Sequence, residues 1–231
     1  MQSGQASSGN EWEKVLTSIE EELIRLGIKR EGNVFDFTPL SNALVIDLLE
    51  FLCSVGLFVL HGSNSERPYS KLLAQQANDA SKESGNSKSV YATSDPRIAL
   101  FSAVINQRYL REELNSYTCG YEVDNGKFIV KATDNLYRLF LEERAGLVAD
   151  GYVYVLDKSA FMPAGGTTNE YISAEDQQVT TIFKVSKRCG ETLFIVGRGD
   201  ADTVLPYTPE EYRRIGTARF TPVLGISRPL E

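Results

Sequence analysis

The sequence is poor in the side chains that hold metals: 231 residues carry one histidine and three cysteines. Cys53, Cys119 and Cys189 are odd in number and form no CxxC pair. That argues against a disulfide framework or a thiolate zinc site, and for reduced thiols. A lone imidazole leaves too few nitrogen ligands for a metal centre, so none is expected. Long apolar runs are missing as well. The longest, over residues 44–60, is broken by Asp47, Glu50 and Gly56 and is too polar to span a bilayer. Residues 1–10 are rich in Ser, Gly and Gln, with neither a cationic start nor an apolar segment, so no secretion signal is visible. Cations are not in excess either. The net charge of −7 argues against non-specific coating of nucleic acid, while leaving room for a local basic groove. No internal repeat or linker-like stretch divides the chain. The expectation is a cytoplasmic protein without metal or membrane.

What is present is core-forming material. Apolar residues make up 42% and aromatics 10% of the chain, the composition of a folded globular protein. Asn10 with Glu13 is a capping-box pattern. Trp12, Val15, Leu16, Ile19, Leu23 and Leu26 then fall on one helical face up to Gly27, with Glu20, Glu21 and Glu22 expected on the solvated side. Thr38-Pro39 reads as the N-cap and first turn of a helix over residues 38–55, stopped by Gly56. A strand over 57–60 follows, and Leu72, Leu73, Ala77 and Ala80 predict a helix over 70–82. A strand surrounds Tyr91, and Ser94-Asp95-Pro96 starts a helix that continues through Leu110. Further on come a hairpin around Asp124-Asn125-Gly126, an ambiguous segment over 135–144, and a strand over 152–156. An antiparallel pair at 179–185 and 192–196 and a short terminal helix opened by Thr208-Pro209 complete the pattern.

Three of these strands deliver one chemically capable side chain each. His61 follows Leu57-Phe58-Val59-Leu60 and precedes Gly62-Ser63; Tyr91 lies in Val90-Tyr91-Ala92-Thr93; Glu170 lies in Asn169-Glu170-Tyr171-Ile172, behind Ala164-Gly165-Gly166-Thr167-Thr168. Singly, each has a structural explanation: a hydrogen-bonded histidine, one of eleven tyrosines in packing, a surface acid. The glycine beside the histidine permits close approach of a ligand or of another stretch of backbone. It is the set, in this order, that carries information.

In that order the three motifs resemble those of the His-Tyr-Glu ADP-ribosyltransferases, the group containing the diphtheria-type toxins and the poly(ADP-ribose) polymerases. Gln178-Val179 followed by Ile182, Phe183 and Val185 is similar to the strand after the polymerase glutamate, and the resemblance covers about residues 57–196. It implies an α+β fold: a mixed, mostly antiparallel split sheet with flanking helices over residues 57–231. An N-terminal helical extension, residues 1–56, would pack on that body. It also implies NAD as substrate and no metal. Glu170 would bind a hydroxyl of the nicotinamide ribose and stabilise the developing cation, as carboxylates do in glycosidases. Tyr91 would stack on the nicotinamide ring. His61 would hydrogen-bond a ribose hydroxyl, and the backbone of Gly62 would read the carboxamide with Ser63 at the same edge. Arg67 and Arg97 follow the first two motif strands and could meet pyrophosphate, although a solvated surface role is the ordinary assignment for either. The polymerases carry a serine and a second stacking aromatic on the helix after the tyrosine strand. Here the nearest are Ser102 and Phe101, out of register, and Phe101 reads first as core. Arginine-directed relatives have Glu or Gln two residues before the catalytic glutamate; Thr168 stands there, which argues against arginine as acceptor.

The resemblance thus implies transfer of a single ADP-ribose unit from NAD to a macromolecule, a protein side chain or a nucleic-acid base, with release of nicotinamide. The acceptor would approach at residues 165–169. Such a stand-alone transferase is compatible with a toxin or defence role and with an inhibitory partner. Three alternatives stand beside it: a non-catalytic NAD- or ADP-ribose-binding or interaction module of the same fold, an NAD glycohydrolase, and an RNA phosphotransferase. The last calls for more basic active-site residues than are visible.

Overall fold

A computed structural model describes residues 9–76, 88–114, 119–124, 127–142, 144–164, 169–189 and 195–198. The first helix, α1 (Gly9–Arg25), ends on Gly27, whose φ of 80° lies where side-chain-bearing residues are strained. The Gly27 N–H bonds Ile24 O and the Ile28 N–H bonds Leu23 O, a Schellman closure of the helix. Leu16 and Leu23 are buried, whereas Leu26 is 58% exposed, so the apolar face stops a turn earlier than its spacing implies. Glu20 departs from the expected solvated face. Its carboxylate accepts the hydroxyl of the fully buried Thr181 and pairs with Arg30 at 3.2 Å, tying α1 to the sheet.

That tie reaches a hairpin of β1 (Arg30–Glu31) and β2 (Val34–Asp36). The hairpin adds to the main sheet through parallel pairing of β2 with β13 (Thr181–Val185). Residues before 57 are therefore built into the sheet as well as packed on it. The helix α2 (Asn42–Ser54) is capped by Ser41, whose hydroxyl accepts the Leu44 N–H. Thr38 is not the cap: its N–H and hydroxyl both go to Asp36 Oδ1, at 3.0 and 2.6 Å.

Among the described residues the main sheet has nine strands. Its remaining members are β3 (Phe58–Ser63), β5 (Gln75–Gln76), β6 (Lys88–Thr93), β9 (Gly151–Asp157), β10 (Met162–Pro163) and β11 (Glu170–Ser173). The order runs β1-β2-β13-β9-β3-β6-β11-β10, with β5 also pairing β6. Every pairing except β2 with β13 is antiparallel. A two-stranded piece joins β4 (Lys71–Leu72) to β12 (Gln177–Gln178). A three-stranded piece joins β7 (Cys119–Asp124), β8 (Lys127–Ala132) and β14 (Ile195–Arg198). The protein is thus mixed α+β with a mostly antiparallel sheet.

Strand alternation sends side chains to two cores. Phe58 and Leu60 join α2 and α3 (Pro96–Val104) in the larger one, around Leu49, Leu100 and Phe183; Phe37 stacks on Phe183 at 4.4 Å. Val59, Val90, Tyr154 and Leu156 form the smaller one on the other face. The expected helix over 70–82 gives way, where described, to β4 and β5. There the backbone is claimed by β12 and β6, and Asp176 Oδ1 accepts the Ala74 N–H. The helix after Asp95, capped by that carboxylate with Pro96 in its first turn, breaks at Ile105, which bridges Val148. Asn106 restarts it by capping α4 (Gln107–Glu113), the local competition that asparagine side chains offer a helix. The ambiguous segment is helical, as α5 (Asp134–Glu142) and α6 (Arg144–Leu147). The expected pairing of 179–185 with 192–196 does not form: β2 and β9 occupy both edges of β13, and β14 runs parallel to β8. The proposed terminal helix at Thr208, the hairpin tip Asn125-Gly126 and residues 165–168 lie outside the described residues.

The helix α3 lies unusually close to the sheet. A Cβ on Gly62 would sit 1.9 Å from Ala99 O, and one on Gly151 would sit 1.6 Å from Ala103 O. Backbone cannot yield as a side-chain tip can. Gly151→Ala should therefore cost about 3 kcal/mol, lowering the thermal midpoint by roughly 6–12 °C in a domain of this size. A midpoint in thermal unfolding equal to that of the parent protein would contradict this packing.

Candidate functional site

The strand β3 changes character along its length. Phe58, Val59 and Leu60 are fully buried, then the strand becomes only partly buried at His61, Gly62 and Ser63. Along one edge it pairs with β9 at all six residues, from Phe58↔Asp157 to Ser63↔Tyr152. Along the other it meets β6 at a single rung, Leu60↔Thr93. Beyond that rung the sheet parts, and His61 stands at the opening. Its Nδ1 lies 2.7 Å from the Tyr91 carbonyl oxygen. A carbonyl only accepts, so Nδ1 carries the proton and donates. The imidazole thus takes the place of a ladder hydrogen bond, and its Nε2 points away from Tyr91. Burial pushes the His61 pKa below its ordinary value, and the bond to Tyr91 opposes this only in part. The ring is therefore neutral near pH 7, with Nε2 as a hydrogen-bond acceptor.

Tyr91 and Glu170 are placed by the next pairing. β11 runs antiparallel to β6 with Glu170↔Thr93 and Ile172↔Tyr91 in register. Alternation puts Tyr91, Thr93, Glu170 and Ile172 on the face of Leu60, leaving Val90 and Ala92 to the smaller core. Tyr91 and Glu170 are diagonal neighbours, a relation that spans about 7–8 Å between backbones. His61 belongs by alternation to the opposite face, with Val59. Its ring reaches the seam between β3 and β6, where it bonds the Tyr91 backbone carbonyl. The backbone of the glutamate strand is pinned at its start: the Ser94 N–H bonds Asn169 O at 2.9 Å, and the Ala164 N–H bonds Glu170 O at 2.8 Å.

The other candidates divide. Gly62 is required by the close passage of α3, a structural reason for a glycine here, and its backbone stays at the seam. Ser63 ends the strand, half-exposed and opposite Tyr152. Phe101 is 2% exposed in the larger core and is not brought to the seam. Its neighbour Ser102 has a buried hydroxyl without a hydrogen-bond partner among the described residues. Arg67 is exposed. Arg97 is held at the surface by Glu50 at 3.0 Å. Among the described residues no three metal-ligating side chains come together, and no helix is long and apolar enough to cross a membrane.

Sequence reading misses one neighbour of the site. Tyr154, fully buried on β9, lies directly across from His61, with ring centroids 5.8 Å apart. Tyr69 stacks on it from the outside at 6.1 Å, nearly parallel. Nothing in local pattern distinguishes Tyr154 from the other tyrosines; only strand pairing does.

The depressed pKa of His61 makes stability pH-dependent. The unfolded chain, with an ordinary histidine pKa of about 6.5, binds more protons than the folded one between the two values. Stability therefore rises with pH across that window and is lost as pH falls below about 6.5. One proton limits this slope to about 1.4 kcal/mol per pH unit. His61→Gln, whose amide can still donate to Tyr91, should flatten that part of the profile in urea unfolding; an unchanged slope would place His61 outside the titration.

Comparison with protein-family models, with curated proteins and with solved structures returned no match for this chain.

Proposed function

We propose that the chain is an NAD-dependent mono-ADP-ribosyltransferase whose reaction takes place at the seam between β3 and β6. The observation that carries this is the parting of the sheet beside a neutral, singly oriented His61, with Tyr91 and Glu170 on the two strands that follow. The three side chains offer an acceptor nitrogen, an aromatic face and a carboxylate, which is what cleavage of an N-glycosidic bond to nicotinamide requires.

In this reading His61 Nε2 accepts a ribose hydroxyl while Nδ1–H remains on Tyr91 O. The Tyr91 ring lies against the nicotinamide. Glu170 holds the 2′-hydroxyl of the same ribose, so its negative charge faces C1′. The C1′–N bond breaks with its electron pair leaving on nicotinamide, and the sugar becomes oxocarbenium-like. A nucleophilic oxygen or nitrogen of a macromolecular acceptor bonds C1′ and releases its proton to solvent. The acceptor itself is a protein side chain or a nucleic-acid base.

NAD labelled in its adenosine half, incubated with the protein and a cell lysate, should release nicotinamide and leave label on a macromolecule. Separate protease and nuclease digestion then names the acceptor class. Glu170→Gln should lower nicotinamide release at least about 100-fold, with circular dichroism showing the fold retained. NAD left intact by the parent protein would overturn the proposal, and free ADP-ribose without labelled macromolecule would replace transfer by hydrolysis.

A further inference from the structure

The proposed reaction occupies one half of NAD and says nothing of where the adenine goes. On the face of the sheet that carries His61, three rings follow one another outward. His61 meets Tyr154 at 5.8 Å with a tilt of 55°, and Tyr154 meets Tyr69 at 6.1 Å with planes only 19° apart. The inner tyrosine is fully buried, but Tyr69 is 47% exposed. An exposed ring is costly to hold still unless something fixes it. Here the Tyr69 backbone N–H bonds the Tyr154 hydroxyl at 3.2 Å. The Ser65 hydroxyl closes a turn by donating to Arg67 O at 2.7 Å. Tyr69 is thereby fastened to a buried side chain through both its backbone and its ring, while about half of its surface stays exposed. Arg67, exposed two residues earlier, adds a cation in the same turn.

We infer that Tyr69 is the platform for the adenine of the nucleotide, with Arg67 beside the diphosphate. The inference rests on the NAD-dependent reading of the His61 seam. Two ring-to-ring steps lead from the imidazole to Tyr69, the reach of a ribose-diphosphate arm and too far for a single sugar. A preformed aromatic surface binds a purine by stacking and needs no base-edge hydrogen bonds, while an arginine fork suits a diphosphate. The chemistry selected is that of an adenosine diphosphate group joined to a second sugar.

The test compares binding of NAD, ADP and nicotinamide to the parent protein, Tyr69→Ala, Tyr69→Phe and Tyr69→Trp by calorimetry. Tyr69→Ala should weaken NAD and ADP on the order of 10-fold or more and leave nicotinamide affinity unchanged, because nicotinamide binds at the other end. Tyr69→Phe and Tyr69→Trp, which keep an aromatic face, should bind ADP as the parent does. The single imidazole resonance of His61 reports whether each variant keeps the seam intact. A parent protein that binds NAD and ADP, with Tyr69→Ala binding both as tightly, overturns the platform and leaves the reaction standing. A parent that binds neither nucleotide overturns both.

Discussion

The arrangement depends on one rung of β-ladder. Leu60↔Thr93 is the only described residue pair joining β3 to β6, and so the only described ladder pairing between the run β1-β2-β13-β9-β3 and the run β6-β11-β10. Had the ladder continued, Gly62 and Tyr91 would have faced each other as ordinary partners and no seam would exist. Had it been absent, His61 would have had no fixed carbonyl to address. One rung holds the strands together at the buried end and lets them separate where β3 becomes exposed. The cost of the missing ladder bonds is reduced by the imidazole, whose Nδ1–H satisfies the Tyr91 carbonyl, since a buried backbone acceptor left unpaired is expensive.

That separation needs a rigid backing, which β9 and α3 supply. All six residues of β3 are paired to β9, so the histidine strand cannot follow β6 away. On the face of the larger core, α3 is pressed against β3 and β9 so closely that Gly62 and Gly151 admit no Cβ. Asn64 reinforces the same corner, its side-chain amide donating to Ala103 O and Asp150 O at 3.2 and 2.9 Å. The motif His61-Gly62 therefore combines two demands. The histidine addresses the seam on one side, and the glycine admits a helix on the other.

How much of this is legible beforehand follows from how local each signal is. The strands around His61, Tyr91 and Glu170 are visible because short β-rich runs are bounded by turn residues. The start of α3 is visible because Asp95-Pro96 is a self-contained cap. Failures occur where a partner distant in sequence decides. Residues 70–76 have helical spacing, yet Ser89 and Gln177, from elsewhere in the chain, pair with their backbone. Ile105 has helical neighbours, yet Val148 draws it into a bridge. Glu20 lies among three consecutive acids, and only Thr181 and Arg30 distinguish it. The site follows the same rule. The order of His, Tyr and Glu can be read along the chain. That His61 enters from the face opposite Tyr91, and that Tyr154 lies beside it, are consequences of register alone.

The state of His61 connects stability with the proposed chemistry. A protonated imidazole near a ribose turning positive would raise the barrier through like-charge repulsion, whereas a neutral one with an accepting Nε2 adds no such penalty. Burial supplies neutrality, and the Tyr91 carbonyl supplies the tautomer by claiming Nδ1–H. Either influence alone would be insufficient. A buried ring without the carbonyl could present either nitrogen, while an exposed ring held by the carbonyl would titrate near its ordinary pKa of about 6.5. The desolvation that weakens the fold at low pH is the same one that keeps positive charge off the seam. On the proposed reaction, the positive charge at C1′ then faces Glu170 without a competing cation from His61.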